Sequence, residues 1–320
     1  MERIVETVNR TALDWLLVSE EPAIRFLARR DLLGEEAPED ARRILDGPKV
    51  ATLLAGQRPE GGFGMHPYRK WTGAHWRLVS LVELAVPEGE PRSVRAAQPV
   101  LEWLTSDRHR SAIPTIDGLV RRCASQEGNA LAVCSRLGLA GDRRVQLLAE
   151  SLVEWQWPDG GWNCDVRASG RRSSFHESLP ACWGLIEYGR ATGEPRAVEA
   201  ARRTAQLFLE HRLFRSLSTG QVVHRSWLAL HYPPYWHYDL LQALLVLSQM
   251  GLAGDPGAAE ALEVLERRRL RDGRWRPGGY WWSPPGSVGG NVEVVDWGRS
   301  GPNEMITLNA LRVLKSAGAG

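Results

Sequence analysis

Gln156-Trp-Pro-Asp-Gly160-Gly-Trp162 decides the fold, because the chain says it more than once. A second full copy reads Gln57-Arg-Pro-Glu-Gly61-Gly-Phe63, and a degenerate third reads Arg269-Leu-Arg-Asp-Gly273-Arg-Trp275. A phrase returning at long intervals marks a repeat architecture. Each copy closes a helix-like stretch. Its glycine can take the positive φ that ends a helix, its glutamine amide can satisfy backbone groups left open there, and its aromatic ring packs the turn.

The segments between copies alternate in character. Stretches 75–86, 126–137, 176–188, 237–250 and 304–314 are apolar nearly all round, whereas 91–105, 142–156, 195–211 and 257–270 are striped and charged. The first kind of helix is buried and the second lies outside. Segment 21–33 supplies a sixth inner helix and 49–57 an outer one. The pattern therefore predicts an all-α fold, an (α/α)6 toroid in which inner and outer helices form a double-ringed barrel. One domain is expected over 1–320, with 1–20 as a peripheral N-terminal helix. Segments 216–235 and 273–301 break the alternation; the second is read as an aromatic, Gly-rich loop or lid.

Composition narrows the function. The 40 Lys and Arg nearly cancel the 38 Asp and Glu, leaving no basic footprint for nucleic acid. No run of roughly 18 apolar residues occurs, so no transmembrane segment is expected. The four cysteines lack zinc-finger or thioredoxin spacing, and a cytoplasmic protein with free thiols fits them. The 14 Trp outnumber Phe and Tyr and gather in Gly/Pro-rich connections, which suits pinned loops or a ring-walled cavity.

The Gln-x-x-x-Gly-x-Trp phrase resembles the repeat of squalene–hopene cyclases and related terpene cyclases. Its paired helices are similar to those of protein prenyltransferase β subunits and lanthionine cyclases. Over roughly residues 20–317 the closer of these resemblances is to bacterial prenyltransferase/squalene-oxidase-repeat proteins of undefined activity. The matching phrases are Pro22-Ala-Ile-Arg25-Phe26, Asp159-Gly-Gly-Trp162-Asn-Cys164, Ser174-Phe-His176 and Thr307-Leu-Asn-Ala-Leu-Arg-Val-Leu314. The resemblance implies the toroid. It does not carry polyene cyclisation, since the Asp-x-Asp-Asp motif that protonates the alkene is missing, and lone Asp165, Asp239 and Asp296 do not replace it.

In such a fold the inner helices' N-termini converge on one mouth, where partial positive charge favours anions and thiolates. The residues at those starts are His75, Cys123, His176-Glu177, His237-x-Asp239 and Glu304, with Cys164-Asp165 within reach. Cys164, Asp165, His176 and His237 are the candidate metal ligands, and zinc is the metal such a set would take. Similar ligand types hold zinc in the resembling prenyltransferases and lanthionine cyclases. Catalytic roles fall to His176 or His237 as base, Glu177 or Asp239 orienting it, and Cys164 as nucleophile. His75, Trp71, Trp236, Tyr238, Trp281, Trp282 and Glu304 are expected against the substrate. The plainer readings are helix caps for the polar residues and core thiols for Cys134 and Cys182. No nucleotide fingerprint is present. The expectation is an enzyme with an apolar cavity acting on a hydrophobic or aromatic small molecule, by zinc-assisted hydrolysis or nucleophile addition. An isoprenoid transferase or cyclase and a non-catalytic binding toroid are the alternatives.

Overall fold

Fourteen α-helices carry the chain in the computed structural model, which describes residues 2–318; residues 1, 319 and 320 of the expected 1–320 domain lie outside the described residues. They are α1 (Glu2–Leu17), α2 (Pro22–Leu27), α3 (Pro38–Arg42), α4 (Pro48–Leu54), α5 (Ala74–Glu83), α6 (Pro91–Thr105), α7 (Asp107–Arg110), α8 (Ser125–Arg136), α9 (Arg143–Trp155), α10 (Phe175–Thr192), α11 (Pro195–Glu210), α12 (Leu240–Gln249), α13 (Ala259–Arg267) and α14 (Glu304–Ser316). A π-helical turn over Ala28–Leu33 prolongs α2. The strands named among the described residues are the two-residue pair Thr115–Ile116 and Leu119–Val120, so the class is all-α. No described helix is long and apolar enough to cross a membrane.

Local chemistry sets the helix limits. Asp142 accepts a hydrogen bond from Arg144 N–H and starts α9; Glu90 does the same for α6 through Arg92 and Ser93, and Asn303 for α14 through Ile306. Pro91 and Pro195 occupy first turns, where a missing N–H costs nothing. Within α9 the buried residues Val145, Leu148, Ala149, Leu152 and Trp155 form one stripe, as expected for an outer helix. In α12 Leu240, Leu241, Ala243, Leu244, Val246 and Leu247 are all buried. It begins later than the pattern predicts: residues 237–239 lie outside the helix, and Asp239, in extended backbone, caps Gln242 N–H, so His237 and Asp239 precede it.

The packing has two layers. Helix α8 packs on α5 and α10, α12 packs on α10 and α14, and α14 packs on α2. Against these lie α4 and α6 on α5, α9 on α8, α11 on α10, α13 on α12 and α1 on α14. The contact between α8 and α10 is the closest. A Cβ on Gly128 would stand 2.4 Å from the backbone of Pro180 and Ala181, and one on Gly184 would stand 2.4 Å from the Gly128 carbonyl oxygen.

The three repeat phrases make the same turn. Arg58, Trp157 and Leu270 donate their N–H to the carbonyls of Gly62, Gly161 and Arg274, at 2.8 Å in each case. Gly61, Gly160 and Gly273 sit at φ of 93°, 94° and 83°. Gln156 Nε2 donates to Gly160 O, Ala200 O and Thr204 Oγ1, tying the turn to α11; Gln57 Nε2 ties its own turn to Arg92 O of α6. Where Arg269 replaces Gln, its guanidinium lies 4.8 Å over the Trp275 ring. The indoles of Trp162 and Trp275 donate to Leu152 and Leu265 carbonyls ten residues back. Because Gln156 bridges two elements, Gln156→Ala lowers stability by about 1–2 kcal/mol, read from chemical denaturation with an unchanged m-value.

Candidate functional site

Six helical segments line one cavity of about 590 Å³. They are the α2–π segment (Arg30, Asp31), α5 (Val79, Glu83), α8 (Asn129, Arg136), α10 (Leu179, Trp183, Arg190), α12 (Leu245, Val246) and α14 (Met305, Arg312, Lys315). Arg190, Lys315 and Ser316, near helix C-termini, are exposed, while Pro234 and Tyr235 at the other end are buried. The opening therefore lies at the helix C-termini, away from the expected N-terminal mouth. Nor is the hollow simply apolar: Leu179, Trp183, Leu245, Val246 and Met305 share it with a charged rim. Arg312 and Arg30 are engaged by Asp31, and Arg190 by the Gln249 carbonyl. The Arg136 guanidinium makes no hydrogen bond or ion pair among the described residues and lines the cavity.

Glu83, at the last turn of α5, went unremarked in the sequence because it looks like any acid ending an amphipathic turn. Burial pushes its carboxyl up to about 7, against a bond from Tyr232 Oη, 3.1 Å away, that favours the anion. A cavity-facing acid that titrates near neutrality is suited to proton transfer.

The inner end of the cavity is closed by stacked rings. His237 lies between Trp236, with centroids 3.9 Å apart, and Trp281, with centroids 4.0 Å apart and planes 7° apart. It lines both the large cavity and a smaller hollow with Lys70, Trp71, Trp281 and Arg299, so it partitions the two. Its Nδ1 faces the Pro234 carbonyl at 3.2 Å, which leaves Nε2 as the acceptor of the neutral ring. Burial lowers its pKa to about 3. Trp71 stacks on Tyr235 with centroids 3.7 Å apart and donates to Trp281 O. The segment 273–301 is thus fastened across this end, with the buried Trp282 donating to Tyr232 O and Tyr235 Oη donating to Glu293.

The residues expected to gather at one metal do not. Asp165 is held by Arg167 at 2.7 Å, which lowers its carboxyl to about 2. His176 Nδ1 accepts the Tyr238 N–H at 2.9 Å, so its proton sits on Nε2 and neither nitrogen is free to ligate; burial lowers its pKa to about 4. It faces a separate groove beside Trp227 and His211. Its ring stands 6.2 Å from that of His237 and perpendicular to it. Cys164 instead meets Cys123 and Glu177, with one ligand atom from each within 4.8 Å of the others. Cys164 donates to Glu177 Oε1 at 3.7 Å, and Ser125 N–H donates to Oε2 at 3.0 Å. Hydrogen bonding between the thiols holds Cys164 below the usual thiol range and raises Cys123; burial raises Glu177.

Other expected site residues take structural places. Asp239 pairs with His231, Nδ1 to Oδ2 3.1 Å, so it orients that ring and not His237. Glu177 likewise faces the thiols and not His176. Tyr238 is fully buried, donates to Leu213 O and does not line the cavity. Glu304 pairs with Lys49 at 3.5 Å. His75 is buried among Tyr68, Trp76 and Trp103, and both ring nitrogens lack partners. Comparison with family models, with curated proteins and with solved structures yields no match to this chain.

Proposed function

We propose that the chain closes into an (α/α)6 toroid and is an enzyme acting on an amphipathic small molecule, with an apolar or aromatic body and an anionic group, held in the central cavity. The reading rests on one observation: a hollow shared by six helical segments presents Glu83, an acid poised near neutrality, beside the Arg136 guanidinium. Arg136 would take the anionic group, and the apolar body would lie on Leu179, Trp183, Leu245 and Met305. Tyr232 occupies one Glu83 oxygen and leaves the other for the ligand. Half-protonated near pH 7, that carboxyl can give a proton to a leaving oxygen or take one from water, so hydrolysis or addition across a polarised bond is the supported chemistry. His237 Nε2 supplies an acceptor at the cavity floor.

1-Anilinonaphthalene-8-sulfonate combines an aromatic body with an anion and serves as probe. It binds with a rise in fluorescence that Leu245→Trp, which fills the hollow, abolishes and Arg136→Met weakens. Turnover of mono-4-nitrophenyl succinate, an aryl ester that also carries a carboxylate, is expected to follow a protonation step near pH 7 and to fall about 10²-fold in Glu83→Gln. Binding unaltered by Leu245→Trp rejects the cavity as the site. Turnover that is absent, or unchanged in Glu83→Gln, rejects the hydrolytic reading. The cationic rim favours a second reading, an isoprenoid diphosphate as ligand. Farnesyl diphosphate that displaces the probe, and loses affinity in Arg136→Met, supports it.

A further inference from the structure

Cys123 and Cys164 are brought together by backbone and not by chance contact of side chains. Arg121 and Asn163 form a parallel bridge, and Arg122 N–H donates to Asn163 O at 3.0 Å. Cys123 directly follows Arg122 and Cys164 directly follows Asn163, so this hydrogen bond sets the two cysteines side by side. Trp162, just before, is fixed by its N–H to Ser178 Oγ in the first turns of α10. Glu177 reaches the same point from α10, held in orientation by Ser125 N–H at the start of α8. Three segments far apart in sequence therefore deliver two sulfurs and a carboxylate oxygen to one spot.

Glu177 has no basic partner there among the described residues. Arg122, the nearest cation in sequence to Cys123, spends its guanidinium on Glu127 and Gln126. A 7 % exposed carboxylate beside two thiols, with no arginine, lysine or histidine paired to it, is a poor arrangement for an apolar core. It is a good one for a divalent cation.

We infer that Cys123, Cys164 and Glu177 bind a zinc ion, which fastens the loop after the second repeat phrase to the starts of α8 and α10. Two thiolates select a borderline-soft metal over Mg2+ or Ca2+, and a third ligand of carboxylate type is ordinary for Zn2+. Ligand atoms around tetrahedral Zn2+ stand about 3.3–3.8 Å apart given its bond lengths. The three ligand atoms lie within 4.8 Å of one another, and Cys164 Sγ and Glu177 Oε1 are already 3.7 Å apart. Binding releases the two thiol protons to solvent and involves no redox change. The site lies apart from the cavity, so its failure and that of the proposed catalysis are separately visible.

The full chain, produced with Zn2+ in the medium and desalted, is expected to carry close to one zinc by elemental mass spectrometry. Co2+ added to the chelator-stripped chain gives a sulfur-to-metal charge-transfer band. Cys123→Ser and Cys164→Ser each reduce bound zinc at least tenfold. Glu177→Gln, which keeps the Ser125 bond and guards against a misfolded cysteine variant, weakens zinc at least tenfold in competition with a chromogenic chelator. Asp165→Asn leaves binding unchanged. Alkylation of Cys123 and Cys164 quickens when zinc is stripped. Zinc-free protein without a cobalt–thiolate band, or metal content indifferent to all three substitutions, overturns the site.

Discussion

Lowering the pH from 6.5 towards 4 unfolds the chain cooperatively, and His75→Leu moves that transition to lower pH. His75 is 2 % exposed, and neither ring nitrogen finds a partner. Burial lowers its pKa from the ordinary 6.5 to about 3. The sign follows from linkage. Between those two values the unfolded chain binds a proton that the folded chain refuses, so stability is full above 6.5 and drains away as pH falls towards 3. At pH 5 the penalty is about 2 kcal/mol from this residue alone, at 1.36 kcal/mol per pH unit. His237 and His176, lowered to about 3 and about 4, act in the same direction; they are less enclosed, and solvent reduces their share. Leucine fills the His75 volume, removes two unpaired nitrogens and cannot charge. His75→Leu is therefore more stable than the parent near neutrality and gains a further 2 kcal/mol or so at pH 5. Urea denaturation followed by circular dichroism at several pH values measures both. A gain that does not grow with acidity shows that His75 is not the titrating group.

Gly128→Ala is expected to destabilise the chain by about 3 kcal/mol or more, although alanine is the better helix former. The added Cβ would sit 2.4 Å from backbone atoms of Pro180 and Ala181 on α10. Backbone cannot swing aside as a side chain can, so α8 and α10 must separate. That would open the layer that carries Asn129 and Arg136 on one side and Leu179 and Trp183 on the other, and would deform the cavity wall. Gly184→Ala meets the Gly128 carbonyl oxygen at 2.4 Å and behaves alike. Gly141→Ala is the control: it has open space around it, no positive φ, and an expected effect within about 0.5 kcal/mol. Equal stability of Gly128→Ala and the parent would mean that the two helices do not meet as described.

Helix identity was largely legible before the structure, because capping and periodicity are local. Pro91 and Pro195 open helices, Asp142 caps one, and the Gly61, Gly160 and Gly273 turns repeat with matching hydrogen bonds. The limits blurred where tertiary contacts override pattern. The stretch 237–250 reads as one apolar helix, yet His237 stacks between Trp236 and Trp281 and Asp239 caps Gln242 N–H, so the helix starts only at Leu240.

The site was legible in its ingredients but not in its pairings. Residue types alone mark Cys164 and Glu177 as candidates for chemistry. They do not say that Glu177 turns to the thiols instead of to His176, or that Asp239 serves His231. Such choices turn on differences of a few ångströms between groups on separate segments, which helical periodicity and capping do not encode. The same holds for Glu83, an unremarkable acid at a helix end until neighbouring helices remove its water and raise its pKa. The sequence by itself determined which segments are helices, which faces are apolar and where the turns fall, since hydrogen bonding and periodicity act over a few residues. Tertiary structure alone decided which polar groups meet, which are desolvated and at which end the cavity opens, because those depend on how separate helices pack.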